Sequence, residues 1–263
     1  MKIADSHAHI FPLPLAEKAT LSISNFYEIP MTNVASSDVL LQDEKEAGIE
    51  VTLVCNSAVT ASQVPSINSF IAQQCAAHPE FIGLGSVLPG MDGWEEELET
   101  VCNLGLRGIK IHSDFQRIDI DAPAALDLYK ACAEKGLIVL FHMGDNRYDY
   151  SHPRRLFNLK RQIPDLTAIA AHFGGYQAWD EALELPMPEG IYYDTSSSLM
   201  FLAPEKAKTL MNKFGTHRFL FGTDFPMWTP KIEVERFLNC PLGLTPSETE
   251  DILYNNFANL FLK

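Results

Sequence analysis

The 263-residue chain has few cysteines and no metal-finger or redox pattern among them. Cys55, Cys75, Cys102, Cys132 and Cys240 are widely spaced, odd in number and free of CxxC pairs, which excludes a disulfide framework and points to free thiols in a reducing compartment. No apolar run approaches the roughly 18 residues of a membrane span, and the N-terminus lacks the apolar core of a signal peptide. Basic charge is scarce: 20 Lys+Arg against 34 Asp+Glu leave a net charge of −14, which argues against a nucleic-acid or anionic-membrane partner. There is no low-complexity tract, no solenoid repeat and no G-x-S-x-G, so Ser196, Ser197 and Ser198 give no serine hydrolase. A soluble, cytoplasmic globular protein is the expectation.

What is present is an alternation. Short β-rich runs lie at Ile3–His7, Val51–Cys55, Phe81–Val87, Arg107–Ile111, Leu137–Phe141, Leu166–Ala171, Ile191–Asp194 and Arg218–Phe221. Most are almost continuously apolar, as strands buried on both faces of a parallel sheet should be. Helical patterns separate them: an apolar stripe through Ile67, Phe70, Ile71 and Cys75, another through Trp94, Leu98 and Val101, and a third with Asp121 as N-cap and Gly136 as its stop. Later helices are expected near Pro153, at Pro204 and at Thr245-Pro246, with a weaker pattern over Tyr176–Leu185.

Strand–helix alternation about eight times over predicts a single (β/α)8 TIM barrel spanning residues 1–263. A doubly wound open sheet is the alternative, but His-Ala-His-Ile-Phe-Pro stands where that fold usually carries a Gly-rich phosphate turn. The stretch 11–36, with prolines at 12, 14 and 30, is predicted as an extended loop over the barrel mouth or an ordinary surface insertion.

Histidine placement carries the chemistry. His7 and His9 form an H-x-H on the first strand, and the two-residue period puts both imidazoles on one face. His142 directly follows the fifth strand, His172 the sixth and Asp224 the eighth, while Lys110 and His112 share a parity at the end of the fourth. Barrel enzymes build their sites at these C-terminal strand ends. Burying so many imidazoles and a carboxylate without partners is costly, and a divalent metal would satisfy them together; zinc, manganese, cobalt and iron all accept nitrogen and carboxylate ligands.

Asp5-x-His7-x-His9, His142, His172 and Gly222-Thr223-Asp224-Phe225-Pro226 resemble the amidohydrolase superfamily, in the amidohydrolase 2 branch that includes aminocarboxymuconate-semialdehyde decarboxylase and metal-dependent hydrolases. The resemblance runs from Met1 to the terminal Asn-Phe-Ala-Asn-Leu-Phe segment. It implies that His7, His9, His142 and Asp224 hold the metal and that His172 polarises the substrate or adds a ligand. It implies one ion, Zn2+ first, rather than two. The ligand chemistry then suggests a hydrolase in which metal-bound hydroxide attacks an amide, lactone or ester carbonyl, with Asp224 moving the proton. Non-oxidative decarboxylation of an unsaturated or aromatic carboxylate is the rival reaction, and a non-catalytic metal-binding barrel is the third reading. In some relatives the lysine matching Lys110 is carboxylated and bridges two metals; otherwise Lys110 binds a substrate carboxylate or pairs with an acid.

The remaining candidates each have a plain alternative. Asp5 is a metal-orienting carboxylate or a satisfied interior one. His112 contacts substrate or packs in the core. Arg147 and His152 clamp a small-molecule carboxylate or sit in a surface loop. Phe11 and Trp228 line a pocket or pack beneath a loop. A homodimer is what the resemblance suggests for assembly.

Overall fold

The computed structural model describes residues 1–186 and 188–262. Among these, eight strands alternate with helices: β1 Ala4–His9, α1 Leu13–Tyr27, α2 Ser37–Ala47, β2 Val51–Cys55, α3 Val64–Ala77, β3 Phe81–Gly83, α4 Trp94–Asn103, β4 Gly108–Ile111, α5 Ser113–Gln116 and α6 Pro123–Glu134. There follow β5 Ile138–Phe141, α7 Pro153–Gln162, β6 Ala168–Ala170, α8 Trp179–Glu184, β7 Ile191–Asp194, α9 Pro204–Phe214, β8 Phe219–Leu220, α10 Pro230–Asn239, α11 Pro246–Glu250 and α12 Asn256–Phe261. No helix among the described residues is long and apolar enough to cross a membrane.

The chain divides into two compact units. The first comprises Met1–Cys55, Gln74–Ile82 and Thr195–Lys263; the second comprises Asn56–Gln73 and Gly83–Asp194. In the first, β1 and β2 pair in parallel with Ala4 opposite Val51 and His9 opposite Cys55, and the register shifts between Asp5 and Ala8. Ala8 also bridges Phe225 in parallel. The Ser6 N–H donates to the Phe221 carbonyl at 2.8 Å, so the chain just beyond β8 lies beside β1. Leu53, Val54, Phe219, Phe221 and Phe257 are buried there.

In the second unit β4, β5, β6 and β7 form a parallel run, with Gly108 opposite Ile138, Val139 opposite Ala168 and Ala168 opposite Ile191. Their residues are buried almost throughout, which explains why they read as apolar runs rather than alternating ones. Gly108 is required by the neighbouring strand: a Cβ there would lie 1.9 Å from the Ile138 carbonyl oxygen. His142 follows β5 immediately, and His172 follows β6 after one residue, so both stand at C-terminal strand ends.

Three expectations need correction. Residues 11–36 do not form an extended loop throughout, because α1 occupies Leu13–Tyr27. Pro12 is its N-cap and Pro14 lies in the first turn, where a missing N–H costs nothing, so these prolines start a helix instead of preventing one. The helix stops at Glu28 in the left-handed conformation, two residues before Pro30. Asp121 does not cap α6; Ala122 precedes Pro123, and the Asp121 carboxylate takes Arg155 and Asn158. The helix expected over Tyr176–Leu185 is confined to Trp179–Glu184. The starts at Pro153, Pro204 and Thr245-Pro246 are found as expected, the last with a Thr245–Glu248 capping box.

Candidate metal centre

In the first unit β1 and the turn after β8 bring three donors together. The Nε2 atoms of His7 and His9 lie 3.6 and 3.5 Å from the same oxygen, Oδ1 of Asp224. The rings stand edge to face, 5.0 Å between centroids. These separations exceed a hydrogen bond. Each separation suits a pair of donors on one ion, since two ligands about 2.0–2.2 Å from a metal lie roughly 3.3–3.6 Å apart.

The opposite edge of each ring is occupied. His9 Nδ1 is 3.0 Å from the Cys55 carbonyl, which only accepts; the proton therefore sits on Nδ1 and the lone pair on Nε2. His7 Nδ1 is 3.2 Å from Ser196 Oγ. Cys55 Sγ lies 3.7 Å from His9 Nδ1, on the edge away from Nε2. His7, His9 and Cys55 are close enough to form an alternative donor group, but this tautomer points His9 toward Asp224 instead.

Asp5 holds the strand and the turn in register. Its Oδ1 accepts the N–H groups of His7 and Thr223 at 2.9 and 3.0 Å, and its Oδ2 accepts the Thr223 hydroxyl at 2.5 Å. The Asp224 N–H donates to the His7 carbonyl at 2.8 Å. Asp5 is thus a satisfied interior carboxylate, bonded to the backbone of His7 and to Thr223 beside Asp224. Asp224 has a left-handed backbone, φ 59°, and its Oδ2 accepts the Ser197 hydroxyl at 2.5 Å.

The second unit holds His142 and His172. His142 Nε2 is 3.1 Å from the Gly144 carbonyl, which places the proton on that nitrogen, and His142 Nδ1 faces His172 Nε2 at 3.0 Å. Gly144 can offer its carbonyl because it adopts φ 72° against Tyr176, whose carbonyl oxygen would lie 2.4 Å from a Cβ. His172 is fixed through its backbone, its N–H donating to Asp194 Oδ1 at 2.8 Å and its carbonyl accepting the Trp179 indole N–H at 2.8 Å. Phe115, His112 and His142 form a parallel stack with centroid spacings of 3.7 and 4.0 Å. His112, Asp114 and His142 are close enough to be metal donors, but parallel rings aim their lone pairs side by side rather than at one point. His112 Nδ1 accepts the Phe115 N–H, leaving Nε2 as the protonated edge.

Asp114 was not anticipated. It receives the Ser151 hydroxyl at 2.6 Å, lies 3.6 Å from His142 Nε2, and burial pushes its carboxyl up to about 6. Ser196, Ser197 and Ser151 also gave no sequence signal beyond being short hydroxyl residues. Lys110 is fully buried on β4. Arg147 is held by Asp145, with Nε at 2.9 Å and Nη2 at 2.7 Å. His152 caps α7 through Nδ1, and burial, then Arg154, lowers its pKa. Phe11 is half-buried with its N–H on the Ala35 carbonyl, and Trp228 is half-buried with its indole N–H on Ser197 Oγ.

The family described as Amidohydrolase matches residues 4–262. Among solved structures, an uncharacterized TIM-barrel protein, Bb4693, from Bordetella bronchiseptica is 20% identical, covering 100% of this chain and 99% of its own, with a TM-score of 0.83. A dihydroxybenzoic acid decarboxylase from Polaromonas sp. JS666, with bound manganese and 2-nitroresorcinol, is 16% identical over 99% of this chain and 97% of its own, with a TM-score of 0.76. A 2-pyrone-4,6-dicarboxylic acid hydrolase, so described only provisionally, from Pseudomonas putida is 18% identical over 98% and 97%, with a TM-score of 0.70. No curated protein matches the sequence significantly. With the family match running from the first strand to the last helix, this protein belongs to the amidohydrolase family and has its (β/α)8-barrel fold.

Proposed function

We propose that this protein is a metal-dependent hydrolase of a small molecule bearing an amide, lactone or ester carbonyl, working with one divalent ion, zinc first. The observation that carries the reading is the convergence of His7 Nε2 and His9 Nε2 on Asp224 Oδ1 at 3.6 and 3.5 Å, with both Nδ1 atoms engaged elsewhere. Two neutral imidazoles and a carboxylate suit a divalent cation. Bound there, such an ion supplies a Lewis acid for a substrate carbonyl and lowers the pKa of water to about 7.

The chain's own residues do the rest. The Cys55 carbonyl fixes which edge His9 offers, Ser196 engages His7 Nδ1, and Asp5 fixes the backbone beneath. The family pattern would make His142 a further ligand, through the Nδ1 edge that His172 Nε2 faces at 3.0 Å here, and His172 the residue that polarises substrate. The net charge of −14 supports an uncharged or locally neutralised substrate and no nucleic-acid partner.

Arg147 is held in a way that makes it a poor carboxylate clamp as it stands. It is the charge in the loop after β5 best suited to grip a substrate carboxylate, and Asp145 already grips it in two places. Decarboxylation is the second reading, supported by the manganese-containing dihydroxybenzoic acid decarboxylase among the structural neighbours. The test is metal analysis of freshly purified protein, then a panel of lactones, amides and esters beside hydroxybenzoates, with CO2 measured directly. Metal-dependent hydrolysis is expected; CO2 release without hydrolysis would replace the hydrolase by a lyase. Full turnover after chelation would end the metal reading itself.

A further inference from the structure

The serine run at 196–198 has no nucleophile context, yet the structure gives each hydroxyl a partner beside the proposed ligands. Ser196 Oγ meets His7 Nδ1 at 3.2 Å, Ser197 Oγ donates to Asp224 Oδ2 at 2.5 Å, and Ser198 Oγ closes the turn on the Ser196 carbonyl at 2.8 Å. The Trp228 indole N–H approaches Ser197 Oγ at 3.1 Å. An indole N–H can only donate, so it occupies a lone pair of Ser197 and leaves the serine proton for the carboxylate. The direction of the Ser197–Asp224 bond is thereby fixed.

That direction has a consequence for the site. The two oxygens of Asp224 are no longer equivalent: Oδ2 is held by Ser197, and Oδ1 faces His7 and His9. Both residues adopt left-handed backbones, φ 47° at Ser197 and φ 59° at Asp224, and both are buried. Left-handed non-glycine residues are costly and persist where surrounding contacts demand them. Two facing each other across one short hydrogen bond mark a built arrangement.

We propose that Ser197, aimed by Trp228, is a positioning residue that holds Asp224 Oδ2 so that Oδ1 alone is presented to a cation shared with His7 and His9. The inference rests on the metal reading above. Without the serine hydroxyl, the hydrogen bond that distinguishes Oδ2 from Oδ1 is lost.

The probe is Co2+, titrated into the metal-depleted full-length protein and followed by its visible absorption, for wild type, Ser197→Ala, Ser197→Gly and Trp228→Phe. The glycine variant deletes the same hydroxyl while relieving the left-handed strain, so it carries the test if the alanine variant does not fold. Loss of the hydroxyl is expected to weaken Co2+ binding about 10- to 100-fold and to change the band intensity as coordination changes. Trp228→Phe is expected to shift binding in the same direction by a few-fold. Wild-type affinity and spectrum in both Ser197 variants would overturn the proposal and leave the metal centre standing. Weaker binding with unchanged band intensity would mark a general loss of packing and also overturn it. A wild-type protein that binds no Co2+ would overturn this proposal together with the metal reading.

Discussion

Replacing Asp5 by alanine tests how β1 and the turn carrying Asp224 are held together. The carboxylate accepts three hydrogen bonds, two from the main-chain N–H groups of His7 and Thr223 and one from the Thr223 hydroxyl. Asp5 and Thr223 are wholly buried, so water does not replace the lost acceptor. Leaving a buried donor unsatisfied costs about 1–3 kcal/mol, and two of the three cannot turn elsewhere. Asp5→Ala should therefore lose about 3–5 kcal/mol. Asp5→Asn keeps an oxygen for both N–H groups and lets the Thr223 hydroxyl turn toward the His7 carbonyl, 3.5 Å away, so its loss should be about 1 kcal/mol. A partial offset is built in: after burial itself, the Asp5 charge is the next cause of the strongly raised carboxyl pKa of Glu44, and either substitution removes that repulsion. Urea unfolding of metal-free protein measures the difference, and metal titration should show weaker binding in the alanine variant. An Asp5→Ala loss below about 1 kcal/mol would refute the idea that Asp5 fastens the two segments.

Other changes follow from the same contacts. Because burial pushes Asp114 up to about 6, the folded state binds more protons than the unfolded state between about pH 4 and 6, and stability falls as pH rises through that window. Asp114→Asn should thus gain up to about 3 kcal/mol at pH 8 and little near pH 4; equal gains at both would contradict this. His142→Ala and Asp224→Asn should each lower metal content and abolish turnover, and either variant working at the wild-type rate without metal would sink the catalytic scheme. Arg147→Ala should cost about 1–3 kcal/mol in thermal unfolding by stranding the buried Asp145 carboxylate, with KM unchanged. A large rise in KM would instead return Arg147 to substrate binding.

The legible part of the fold was its punctuation. Pro153, Pro204 and Thr245-Pro246 announce helix starts because a ring that fixes φ and lacks an N–H fits the first turn. Pro12 and Pro14 obey the same rule, since both occupy positions that begin α1, but three prolines within 11–36 suggest a loop when no partner for the helix is visible in the sequence. Asp121 had a suitable side chain for an N-cap, but Arg155 and Asn158 claimed it from a helix more than thirty residues away.

The sequence by itself determined that this chain is a parallel α/β protein and which histidines and aspartate stand at strand ends, because burial on both faces and the two-residue strand period are written in local order. Only the tertiary structure decided which atoms those residues offer. The tautomer of His9 depends on a carbonyl at Cys55, that of His142 on Gly144, and the difference between the two oxygens of Asp224 on a hydroxyl at Ser197. Hydrogen-bond direction is a property of two groups in space, and no spacing along one chain segment encodes a partner that folding delivers from another.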